Sequence, residues 1–203
     1  HALSYHLFRT PPLPKDALAA VPAGAVGFLA FALSEGGGAG GAEGDARAAA
    51  ARCVTGLDLG REVFANVRDV VAFVLPDPPM QESPRHPPIP HAAIVFTAAD
   101  PGLSEALWKT ILGIASTVAR ASSEPARSLV VAGQRVEAYA FPDSVQVHVA
   151  RLPDRLVLGT SEVAVGKAIA AAGGQGSVLQ DDAFRGAAGL LTPSTSKVLM
   201  VHG

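Results

Sequence analysis

Residues 128–161 read SLVVAGQRVEAYAFPDSVQVHVARLPDRLVLGTS, and the period of their apolar side chains decides the fold. Val136, Ala138 and Ala140 alternate with Arg135, Glu137 and Tyr139, and Val145, Val147 and Val149 alternate with Gln146, His148 and Ala150. A repeat of two sends successive side chains to opposite faces of a strand. Gly133-Gln134, Pro142-Asp143-Ser144 and Pro153-Asp154 break the alternation at short intervals with residues that supply turn geometry. Three tight turns in succession specify an antiparallel meander over 128–160 with one buried face.

The same reasoning extends outward. Residues 70–75 (VVAFVL) and 92–98 (AAIVFTA) are continuous apolar runs bounded by Pro or Asp, which suits strands covered on at least one face. Asp100-Pro101 is an acidic N-cap followed by proline at the first helical position. Leu103, Leu107, Ile111, Ile114 and Val118 follow at helical spacing and form one stripe to bury. Two further helices are expected over 161–172 and 182–191, then a last strand over 197–201. Strands and helices that do not strictly alternate point to an α+β fold, an antiparallel β-sheet with helices packed on one face.

The longest run free of charged and polar side chains, 17–33 (ALAAVPAGAVGFLAFAL), has 17 residues, the lower limit for crossing a bilayer. Pro22 and Gly24 interrupt it, so it parses as a short helix ending near Ala20, a turn, and a buried strand over 26–33. Two tracts are punctuated strongly enough to be loops: EGGGAGGAEG at 35–44, and PDPPMQESPRHPPIP at 76–90, where seven of fifteen residues are proline. Both are flanked by apolar segments and read as insertions within a domain. The expected organisation is a stalk or leading strand over 1–14, an α+β domain over 15–180, and the start of a possible second repeat over 181–203. The repeat rests on an echo: 17–33 reads helix tail, Pro22, small residues and a strand, and 184–201 reads helix, Pro193, small or polar residues and KVLMV. The chain begins with His1 rather than Met, which fits a processed product or a fragment alike; if a segment upstream was removed, a signal peptide or anchor helix is the natural candidate.

Composition excludes several functions. Among 203 residues, 49% are hydrophobic and the formal charge is -2, which is not the profile of a disordered chain. With 16 Lys plus Arg against 18 Asp plus Glu, there is no basic excess of the kind that binds phosphate backbones, so nucleic acid is not an expected partner. Cys53 is the single cysteine and has neither a nearby His in sequence nor a motif that would activate it; it reads as a small buried or half-buried side chain.

His1 and His6 resemble an amino-terminal copper chelate, but the following residues supply no rigid third ligand. His86 and His91 flank the proline tract without the i, i+4 spacing of a helical metal pair. His148, alternating with valines, reads as a solvated residue on the outward face of its strand. The glycine tract lacks the Lys-Ser/Thr ending of a phosphate loop and carries acids that repel phosphate, and Asp181-Asp182 reads as a helix start. No Gly-x-Ser-x-Gly elbow is present. The expected site inventory is therefore empty: no catalytic residue, no cofactor and no metal ligand.

Leu13-Pro14-Lys15-Asp16, the strand over 28–33, AFVL at 72–75, DRLVLGTS at 154–161 and Asp182-Ala183-Phe184 occur in an order that resembles a family of bacterial envelope proteins of unknown function. Their repeats open with a Leu-Pro motif and close with a hairpin and helix, often behind an anchor helix. The glycine and proline tracts depart from that pattern. The resemblance implies an α+β fold and a periplasmic or extracytoplasmic setting, with membrane attachment only through an anchor outside this chain, and it brings no activity. The expected function is a non-enzymatic structural or protein-binding module within a larger assembly. The alternative is a binder of a small apolar or lipid ligand between sheet and helices, since a lining of Ala and Val leaves room that aromatic residues would fill.

Overall fold

Period-two segments become strands in the computed structural model, which describes residues 11–33, 66–76, 88–119, 125–140, 146–188 and 191–201. They are β1 (Gly27–Ala32), β2 (Val67–Val74), β3 (Ala92–Ala98), β4 (Arg127–Val131), β5 (Gln134–Ala140), β6 (Gln146–Arg151), β7 (Arg155–Gly159) and β8 (Lys197–Val201). All pair antiparallel in one sheet of order β4-β5-β6-β7-β3-β2-β1-β8. Three α-helices accompany them among the described residues, α1 (Ser104–Ala119), α2 (Glu162–Ala172) and α3 (Asp182–Ala188), besides short 3₁₀ helices that include Lys15–Ala20. The α+β class read from the sequence is the class observed.

Local chemistry explains the ends of these elements. Asp100 accepts from the Gly102 amide at 2.8 Å and Pro101 opens a short 3₁₀ turn that runs into α1. The β4–β5 hairpin closes on Ala132 and Gly133, with φ of 48° and 77°, so the turn lies one residue earlier than Gly133-Gln134. Positive φ at both positions is the geometry whose twist matches the flanking strands. The turn over 142–144 lies outside the described residues, as do the tract at 35–44, most of that at 76–90, and His1, His6, Cys53 and His86.

Register places Met200, Phe28, Phe73, Ala93, Gly159, His148 and Ala138 in one row across seven strands. Helix α2 covers this face, with Ala164, Val165, Ala168 and Ile169 buried against Val95, Val136, Ala150 and Val157. A Cβ on Gly159 would stand 2.6 Å from Val165 Cγ2, so glycine sets how closely α2 approaches β7. Helix α3 joins the same side, where Phe184 meets Phe28 with ring centroids 6.0 Å apart.

The opposite face is covered in part by α1, whose Leu107, Trp108 and Ile111 pack with Val70, Ala98, Val149 and Leu156. Helices therefore lie on both faces, where the sequence reading laid them over one. The unbroken apolar runs in β2 and β3 are the physical reason, since a strand apolar on both sides needs two covers. Leu107 and Ile111 of the expected stripe are buried, Trp108 joins them at 2% exposed, and Leu103, in the turn before α1, is 53% exposed. Trp108 Nε1 donates to Leu152 O at 3.3 Å, which gives the buried indole its partner. The two echoing segments meet in the sheet, β1 and β8 pairing antiparallel about Leu29 and Leu199.

Candidate binding groove

The face under α1 is apolar beyond the reach of the helix. One register row carries Leu199, Leu29, Ala72, Ile94, Leu158 and Val149, and the next toward the sheet end carries Val201, Val74, Val147 and Tyr139. Leu112, Ala115 and Ser116 of α1 form the wall above them. The space between is an open groove of about 570 Å³, and no charged side chain lines it among the described residues. Leu29 and Ile94 remain 40% and 42% exposed, and Leu199 and Val201 are each 73% exposed. Contiguous apolar surface of this kind is uncommon on a face that meets only water, and the volume lies within the range of small-molecule sites.

One end of the groove is polar. The Tyr139 hydroxyl donates to Glu137 Oε2 at 2.9 Å. Arg151 Nη2 donates to the same carboxylate oxygen at 3.1 Å and to the Tyr139 oxygen at 3.3 Å. Arg135 reaches the other carboxylate oxygen at 3.2 Å. Burial, then the hydrogen bond and negative charge of Glu137, raise the Tyr139 pKa against the opposing pull of Arg151, so the hydroxyl stays a donor.

Several residues singled out in the sequence have structural positions. His91 is buried, with Nδ1 2.6 Å from Ser161 Oγ, and Ser161 caps α2 by accepting from the Ala164 amide at 3.1 Å. Thr160 Oγ1 donates to Pro90 O at 2.7 Å and accepts from the Ala92 amide at 2.9 Å. The end of the DRLVLGTS stretch thus works residue by residue as a close approach, a pin and a cap. Asp182 lies in the first turn of α3 paired with Arg185, and Asp181 Oδ2 accepts from the Gly24 amide at 3.4 Å.

His148 corrects its reading as a solvated residue. It is 4% exposed, on the α2 face, and neither ring nitrogen has a hydrogen-bond partner among the described residues. Period two cannot say which face is the wet one when both are covered, and the small neighbours Gly159 and Ala138 leave room for the ring. Burial lowers its pKa; Glu162, whose Oε1 lies 3.8 Å from Nε2, opposes this, and the charge of Arg127 adds to it. Arg127 itself holds Glu162 at 2.5 Å.

Asp69 was not singled out at all. It is fully buried, with Oδ2 accepting from Arg68 Nε at 2.7 Å and Oδ1 without a partner among the described residues. Arg68 also donates to Asp16 at 2.8 Å. Burial opposes the Arg68 charge, but Asp69 and then Asp16 outweigh it and raise its pKa. A charged residue inside an apolar strand pattern was the available signal.

No group of three His, Cys, Asp or Glu side chains is placed to hold a metal, and no helix is long and apolar enough to cross a membrane, both among the described residues. No protein-family model matches this chain, and no curated protein or solved structure matches it.

Proposed function

We propose that this chain is a non-enzymatic binding module whose groove between α1 and the sheet takes an apolar chain. The observation that supports this most is the groove itself: about 570 Å³ lined by Leu29, Ile94, Leu158 and Val149, with α1 as its wall and no charged lining among the described residues. Burying an apolar chain there gains roughly 25 cal/mol per Å² of surface removed from water. Calorimetric titration with decanol tests it, with an expected dissociation constant on the order of 10–100 µM. Ile94→Asp places a charge in the apolar wall and is expected to weaken binding at least about tenfold. No saturable heat with the intact chain would end the proposal.

A second reading is favoured by a different observation. Among the described strands β8 lies at one end of the sheet, and its Leu199 and Val201 are each 73% exposed. Sheet edges that stay in water are usually blunted with charge, so an apolar edge suits pairing with a strand of another chain. This is the structural or protein-binding module of a larger assembly, and the envelope setting implied by the family resemblance belongs to the same proposal. Sedimentation that stays monomeric for the parent chain at all concentrations, and is unmoved by Leu199→Lys, would speak against self-pairing through β8.

A further inference from the structure

We infer that the groove is selective for a monoanionic amphiphile, a fatty-acid-like chain whose carboxylate sits against Arg151 and Arg135; this rests on the groove reading above. Tyr139 lines the groove, and its hydroxyl is 3.3 Å from Arg151 Nη2, so the guanidinium stands one hydrogen bond beyond the apolar wall. Arg135 approaches Glu137 at 3.2 Å and Arg151 approaches it at 3.1 Å. Two guanidinium groups share one carboxylate, which among the described residues leaves one positive charge beside the end of an otherwise uncharged groove. Both arginines keep donors for a ligand, their side chains being 73% and 51% exposed, whereas Glu137 is 15% exposed.

Charge complementarity selects the headgroup. A single negative charge neutralises the surplus, and a planar carboxylate matches the fork of a guanidinium in bidentate geometry. A phosphate monoester would bring close to two charges toward Glu137. A cationic headgroup would meet the two arginines, and a neutral one would gain only the apolar burial.

The test compares decanoate, decanol, decyl phosphate and decylammonium on the full chain by calorimetry at neutral pH. Decanoate is expected to bind about three- to tenfold more tightly than decanol, the scale of one charge-assisted contact at a partly solvated site, and decylammonium more weakly than either. In Arg151→Gln the decanoate preference falls toward one while decanol binding stays; Arg135→Gln, at the more exposed position, gives the same direction with less risk to folding. Equal affinity of decanoate and decanol for the parent chain, a preference that survives both substitutions together, or tighter binding of decyl phosphate would overturn the inference and leave the groove reading intact. Failure of all four probes to bind would overturn both.

Discussion

His148 is an imidazole buried on the helix side of β6 with no hydrogen-bond partner among the described residues. Its pKa is lowered from 6.5, so the folded chain holds it neutral while the unfolded chain protonates it. The folded state therefore binds fewer protons, and the His148 contribution is fully present above about pH 6.5 and is lost as pH falls through that value toward the folded pKa. Denaturant midpoints are expected to drop between about pH 7 and 5.5 for the parent chain. The slope should flatten in His148→Leu, whereas a parent midpoint constant over that range would contradict the assignment. Ala132 is the other strained residue, with φ of 48° in the β4–β5 turn. Left-handed backbone costs an alanine roughly 1 kcal/mol that glycine does not incur, so Ala132→Gly is expected to raise unfolding free energy by up to about that amount. Neither feature was open to pattern reading: the turn was placed one residue late, and the face of His148 depends on a second cover that alternation does not report.

At the scale of elements, punctuation proved the most legible part of the sequence. The bounds of β3 and β8 agree with the apolar runs that announced them, and Asp100 is the N-cap expected, while Ser161, expected as the first helical residue, is the cap of α2 instead. Long-range fit was less legible. The burial of Trp108 beside Leu107 and Ile111 follows from the shape of the sheet face beneath α1, which no local spacing contains. Contact between α2 and β7 shows how tight that fit is, because Gly159 leaves no space for a methyl group beside Val165. Gly159→Ala is expected to cost roughly 1–3 kcal/mol from overpacking. Adding Val165→Ala removes the atom in the way, so the double variant should lose less than the sum of the two single losses in a denaturation cycle. Strict additivity would mean that the helix shifts rather than clashes.

For the whole molecule, the central contrast is between the two faces of one sheet. Among the described residues the α2 face is filled, down to buried His91, Ser161 and His148, while the α1 face is filled near Trp108 and opens into the groove. Composition anticipated an apolar chain poor in aromatic residues and left open whether the room would be closed core or accessible surface. The candidate site was illegible in sequence because it is made of alternate residues from strands β1, β2, β3, β6, β7 and β8, brought into line only by the register of the sheet. Its polar end is likewise a juxtaposition, Tyr139 and Glu137 from β5 with Arg151 from β6. Methyl-resolved NMR during a decanol titration tests the location directly. Binding in the groove predicts saturable shifts at the methyl groups of Leu29, Ile94, Leu158 and Leu199, with Val165 and Ile169 of α2 unmoved. Saturable binding that leaves the first four unmoved, or that perturbs the α2 side instead, would contradict the assignment of this face as the binding site.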